Sequence, residues 1–206
     1  MEFIKQPQEI EQKSMRIIAP YLKDFNLNEQ EIKIYSRMIH ASGDPDYANH
    51  VALHPEAIAA GIKALKNGSD IFCDVEMVRT GINKRKLGEL GGQVHCLIAD
   101  EQVAHQAKDQ QITRSMAAMR SFGQRMNGAV VAIGNAPTAL FEVIRLMKEE
   151  SLRPALIIGV PVGFVGAAES KELLAEISPV PFLTVKGCKG GSPIAASAVN
   201  ALLYML

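Results

Sequence analysis

From Asp70 onward, short apolar runs alternate with longer stretches whose apolar positions recur at helical spacing, and Gly, Pro or Asn marks each boundary. The runs at 71–75, 94–98, 129–133, 155–159 and 181–185 predict five strands. Their near-continuous hydrophobicity predicts burial on both faces, the habit of parallel sheets. Between them, the stretches 101–126, 137–150, 167–177 and 193–206 predict helices, with Pro137 and Pro193 placed as first-turn prolines. Parallel strands need right-handed crossovers, so five such units most economically build a doubly wound, three-layer α/β/α sandwich. The predicted order is flavodoxin-like: a five-stranded parallel sheet with its ligand at the carboxyl ends of the strands. Ahead of it, 7–21, 28–41 and 55–66 predict an N-terminal helical extension.

Composition narrows the class. The 206 residues are 48% apolar, enough for one substantial core, and without repeats or low-complexity tracts the whole of 1–206 reads as one domain. Lysine and arginine number 22 against 22 aspartates and glutamates. That balance argues against nucleic acid or an anionic membrane surface as the main partner. Cysteines 73, 96 and 188 are too few and scattered for a disulfide framework or a paired-cysteine metal site, which fits a reducing cytosol. The N-terminal segment lacks an apolar signal core and no stretch of about 18 apolar residues follows. The expectation is a cytoplasmic protein without a membrane anchor. The apolar end, 198–206, has to pack against its own sheet or another subunit.

Candidate chemistry gathers after the predicted strands, where Gly134-Asn-Ala-Pro-Thr138, Pro161-Val-Gly-Phe-Val-Gly166 and Lys186-Gly-Cys-Lys-Gly-Gly-Ser192 form turns. None carries a GxxxxGK[ST] or GxGxxG phosphate fingerprint. Backbone amides at helix N-termini nevertheless bind carboxylates as well as phosphates, and Lys186 and Lys189 would add charge to the last loop. Each loop alone reads as a tight turn, whereas three together point to a large polar ligand. Arg114, between Thr113 and Ser115, can pair bidentately with a carboxylate or form an ordinary helix-surface ion pair. The five histidines show no HExxH spacing, so no metal site is expected. His95 falls in a strand as a core or rim residue, and His105 on a polar helix. His40 ends a helical segment beside a predicted loop, where the helix terminus favours its imidazolium, and Arg37 precedes it by three residues on the same face. Such a histidine is either a structural cap or a proton donor.

Several segments, in order, resemble the precorrin-8 methylmutase family of cobalamin biosynthesis: Ile10-Glu-Gln-Lys-Ser14, Arg37-Met-Ile-His-Ala-Ser-Gly43, Cys73-Asp-Val-Glu-Met77, Thr113-Arg-Ser115, Gly134-Asn-Ala-Pro-Thr-Ala-Leu-Phe141, Gly159-Val-Pro-Val-Gly-Phe-Val-Gly-Ala-Ala-Glu-Ser-Lys171 and Gly190-Gly-Ser192. The resemblance covers nearly the whole chain. It implies a cofactor-independent isomerase that moves a methyl group from C11 to C12 of precorrin-8 or its cobalt complex, giving hydrogenobyrinate or cobyrinate. It places His40 as proton donor and acceptor, and a homodimer with sites near the subunit interface. Ser14 and Arg37 match positions expected to contact substrate, and the candidate substrate-binding set is Ser14, Arg37, Thr113, Arg114, Ser115, Asn135, Lys189 and Ser192, with Arg37, Arg114, Lys189 and the loop amides as the groups that would hold acetate and propionate arms. Ring protonation makes the migration terminus electron-poor, a task suited to an imidazolium. Two departures stand out: Ser42 where relatives often carry Cys or Thr, and Gln110-Gln-Ile112 where relatives often carry a glycine. The competing classes are a tetrapyrrole carrier of the same fold and a nucleotide- or flavin-binding flavodoxin-like module. Scarce aromatic residues and the missing phosphate fingerprint weaken the last.

Overall fold

A computed structural model describes residues 3–206, so the first two residues of the predicted 1–206 domain lie outside the described residues. The apolar runs form strands a little shorter than predicted: β2 (Ile71–Cys73), β3 (Val94–Cys96), β4 (Val130–Ile133), β5 (Leu156–Gly159) and β6 (Phe182–Val185). A further strand, β1 (Val51–Leu53), pairs antiparallel with β6 at one edge. The sheet therefore has six strands, ordered β1-β6-β5-β4-β2-β3, with every pairing but the first parallel. Stripped of β1, this is the predicted flavodoxin-like order. The expected five-stranded, all-parallel sheet is corrected by that short edge strand.

Period-two alternation splits the interior into two cores. Ile71, Cys73, Val130, Ala132, Leu156, Ile158, Leu183 and Val185 point to one side, while Phe72, Val131, Ile133, Ile157 and Phe182 point to the other. The first core is roofed by α3 (Ala57–Lys66) and by α10 (Ser192–Leu203), against whose outer side α2 (Glu29–Ser42) packs. Both faces of α10 are thus covered within the chain, which accounts for its apolar sequence, and it starts one residue before Pro193. The second core is roofed by α6 (Glu101–Asp109), α7 (Arg114–Phe122), α8 (Pro137–Glu149) and α9 (Ala167–Ile177). Ahead of α2 lies α1 (Pro7–Ile18), continued by a 3-10 turn at Ala19–Leu22.

Two helical expectations are revised. The stretch 101–126 is no single helix: Gln111 turns to φ +54° and Thr113 caps a new helix by accepting from the Met116 N–H at 3.2 Å. The residue at positive φ ends one helix and the capping hydroxyl starts the next. Between β2 and β3, where no helix was predicted, lie α4 (Glu76–Gly81) and α5 (Lys84–Glu89), each too short to show a period. Among the described residues no helix is long and apolar enough to cross a membrane.

Candidate active site

Helix α2 presents His40. Asn28 starts the helix with a reciprocal cap: its carboxamide oxygen accepts from the Gln30 and Glu31 N–H groups at 2.9 and 3.0 Å, and the Glu31 carboxylate accepts from the Asn28 N–H at 2.8 Å. Gly43 ends it at φ +67°, its N–H returning to the Ile39 carbonyl at 2.9 Å. Ile34, Met38 and Ile39 anchor the helix in the core and leave His40 in the last turn with its ring in solvent. The ring has no hydrogen bond to any described residue, so it is free to approach a ligand.

The predicted loops do converge on the carboxyl edge of the sheet. In a flavodoxin-like order the topological switch lies between β2 and β4. There Asp74, fully buried, accepts from the N–H groups of Gly134, Asn135 and Ala136 at 3.0, 2.8 and 2.7 Å. Burial pushes its carboxyl above the ordinary value, and the three amides pull against that. These amides, expected to cradle substrate carboxylates, are therefore satisfied within the chain by Asp74. What the loop offers outward is the exposed Asn135 side chain. Beside it the Thr113 and Thr138 hydroxyls share a hydrogen bond of 2.8 Å, joining the starts of α7 and α8. Arg114, the first residue of α7, is exposed and has no ion-pair partner among the described residues, whereas Ser115 is buried. Ser192, also buried, lies so close to Gly134 that a side chain there would come within 2.8 Å of the Ser192 Cα.

The loop after β6 is tied down on both sides. The Gly191 N–H donates to the Val160 carbonyl at 2.9 Å and the Gly163 N–H to the Cys188 carbonyl at 3.2 Å. Gly190, at φ +158°, has no room for a Cβ, which would sit 2.3 Å from the Val160 oxygen. Lys189, expected as a free anion anchor, instead donates to the Asp44 carboxylate at 2.7 Å and to Asp46 at 3.4 Å. The Lys189 bond holds the Asp44 carboxyl below, and the Asp44 bond the Lys189 ammonium above, their usual ranges.

Ser14 and Arg37 lie elsewhere. The Ser14 hydroxyl donates to the Ile10 carbonyl at 2.8 Å and lines an open groove of about 910 Å³ with Phe3, Ile10, Lys13 and Ile17. The guanidinium of Arg37 pairs with Glu11 and lies 4.8 Å over the Tyr204 ring. Within one chain, α2 and α10 connect the surroundings of Arg37 to the sheet edge, α10 running from Ser192 beside Gly134 to Tyr204 under the guanidinium. Sequence reasoning missed Asp74, Asp44 and Lys171 as organisers. The usable signal for Asp74 was an acidic residue at the carboxyl end of an otherwise apolar strand. His95 pairs with Asp70 at 2.8 Å and stacks on Phe72, and His105 is exposed, both as expected. No cluster of three or more metal-ligating His, Cys, Asp or Glu side chains occurs among the described residues.

The precorrin-8X methylmutase family model matches residues 9–205 of this chain. The chain is 45% identical over 197 residues to the cobalt-precorrin-8 methylmutase of Priestia megaterium, covering 96% of this chain and 87% of that protein. It is 40% identical over 202 residues to the precorrin-8X methylmutase of a Sinorhizobium species, covering 98% and 96%. Among solved structures, precorrin-8x methyl mutase from Thermus thermophilus matches at a TM-score of 0.89 and 35% identity, covering 96% of this chain and 95% of that one. With its flavodoxin-like strand order, its loops gathered at the sheet's carboxyl edge and these full-length matches, the chain belongs to the precorrin-8X methylmutase family.

Proposed function

We propose that this isomerase of cobalamin biosynthesis acts on precorrin-8 or its cobalt complex, moving the methyl group from C11 to C12 with His40 as proton donor and acceptor. The observation that carries the reading is the placement of His40: a ring in solvent, without a hydrogen bond to any described residue, at the end of a firmly capped helix. An imidazolium there protonates the macrocycle, the methyl group migrates with its bonding pair, and the proton returns to the imidazole. No atom is gained or lost, and the histidine ends as it began.

Arg114 and the side chains of Thr113 and Asn135 face outward at the sheet edge, where they meet the carboxylate arms of the substrate. Ser115 and Ser192, both buried, shape the floor behind them. Ser14 and Arg37 belong to the same site through a second copy of the chain. Ile10 and Ile17, two turns apart on one face of α1, and Phe3 ahead of the helix are exposed around one groove with Ser14 beside them, and this apolar stripe forms the homodimer contact. The enzyme works in the cytoplasm as one domain spanning 1–206.

Incubation with precorrin-8 and with cobalt-precorrin-8, followed by visible absorbance, tests the reading. Conversion of at least one substrate by the wild type and none by His40→Ala supports it. Tight binding without conversion of either would favour a tetrapyrrole carrier instead. Sedimentation equilibrium of the intact chain gives a dimer mass if the α1 stripe is an interface.

A further inference from the structure

We propose that Lys171 is a positioning residue for His40: its ammonium locks the main chain of Lys189, and Lys189 in turn grips the loop that leaves the His40 helix. The inference rests on the isomerase reading above and names the residues that hold its proton donor in place.

Lys171 is on α9 and only 1% of it is exposed. Among the described residues it forms no ion pair with a carboxylate, the Cys188 thiol is the titratable group whose charge acts on it, and its ammonium has one hydrogen-bond partner, the Lys189 carbonyl at 2.5 Å. Burying a cation without a counter-ion is costly, and a methionine of similar shape would fill the space more cheaply. Burial accordingly draws this amine down to about 8. What the amine does that a methionine cannot is hold that carbonyl.

Between β6 and α10 the chain runs through Gly187, Gly190 and Gly191 at φ +69°, +158° and +124°, and the bonds at Cys188 and Gly191 hold it on either side of Lys189, so that the Lys171 ammonium fixes the one carbonyl between them. With its main chain fixed from below, Lys189 reaches across to Asp44 at 2.7 Å and Asp46 at 3.4 Å. Asp44 follows His40 by four residues. Its other carboxylate oxygen accepts from the Asp46 N–H at 3.0 Å, and its own N–H donates to the Ser42 hydroxyl at 3.2 Å, which in turn donates to the Ile39 carbonyl at 3.0 Å. The contacts run unbroken from the interior of α9 to the last turn of α2. The Lys189–Asp44 pair is exposed, so it adds little to stability, and its consequence is geometric.

The test uses the full chain and Lys171→Met, Lys189→Met, Asp44→Asn, Lys189→Arg and the double variant Lys171→Met/Lys189→Met. Thermal melting, steady-state turnover of the precorrin substrate and the NMR signals of the His40 ring without substrate are measured. Lys171→Met is expected to melt no lower than the wild type, yet to lose about tenfold or more in kcat with KM changed less than about twofold. Its His40 ring signals shift, Lys189→Arg retains wild-type behaviour, and the double variant is no slower than the slower single one. A purely structural lysine would lower the melting temperature and leave kcat alone. The proposal is overturned if kcat and the His40 signals are unchanged in Lys171→Met, or if the two substitutions multiply. Should Lys171→Met fail to fold, Lys189→Met and Asp44→Asn, both at exposed positions, decide the matter by the same readouts. If the wild type converts neither substrate, the isomerase reading fails while the NMR comparison still judges the positioning.

Discussion

Replacing Glu142 by glutamine tests how the second helical layer is held in register with the sheet edge. Glu142 sits on α8 with 1% of its side chain exposed and receives two guanidinium groups. Arg120 of α7 donates at 2.8 and 3.2 Å, and Arg145 at 2.9 and 2.7 Å. Burial raises its carboxyl, and the bonds from Arg120 and Arg145 outweigh that to leave it below the ordinary range. A glutamine of the same shape keeps one acceptor and sets an NH2 group against a guanidinium. Breaking a buried ion pair from one side costs about 3–5 kcal/mol, and because both arginines are roughly a third exposed, water screening brings the expectation to the lower end, about 3 kcal/mol. Urea unfolding at neutral pH is the assay, and the midpoint falls while the slope stays constant. The sign with pH follows from a carboxyl that is lower when folded than when unfolded. Its stabilisation is present above the unfolded carboxylate value and disappears as pH falls through the folded one, so the gap between wild type and variant closes in acid. An unchanged midpoint, or a gap that widens in acid, would refute the assignment of Glu142 as the bridge between α7 and α8.

Three other outcomes follow from named contacts. Arg114→Ala, removing an exposed guanidinium without an ion-pair partner among the described residues, raises KM by about threefold to tenfold at low salt, with a smaller difference near 0.5 M salt and no change in melting; a salt-independent effect would contradict an anion anchor. Gly190→Ala, whose Cβ would sit 2.3 Å from one backbone oxygen and 2.6 Å from another, loses more than about 2 kcal/mol in urea unfolding, and a neutral result would mean the loop is not pinned against β5. Lys171 is depressed to about 8 when folded, so the unfolded chain binds more protons above that pH and stability rises until the ordinary lysine value is passed. Relative to Lys171→Met the wild type therefore gains on the order of 3 kcal/mol between about pH 8 and 10.5, read by thermal melts across that window.

Much of the sheet could be read from the chain because five apolar runs and the right-handed crossover rule leave few arrangements. What escaped did so for local reasons. β1 is three residues long and becomes a strand only through its pairing with β6. The break at 110–113 comes from one residue at positive φ and one capping hydroxyl, features that periodicity does not record. For the site, His40 and the loops at 134–138 and 186–192 were visible as residue types in the right places. Their partners were not. Asp74 meets the amides of a loop some sixty residues further on, Arg37 is turned aside by Glu11 and Tyr204, and Lys189 by Asp44. Such pairings depend on which distant elements the fold brings together, and spacing along one chain carries no record of them.

The most direct test of the central claim follows the migrating group itself. Precorrin-8 carrying a 13C label in the C11 methyl group, incubated with the wild type and with His40→Ala, is read by 13C NMR. The label is expected to leave the C11 position and appear undiminished as a C12 methyl in the wild-type reaction, and to stay in place with His40→Ala. A label that remains on C11 with the wild type, or that moves equally fast without the imidazole, would contradict the account.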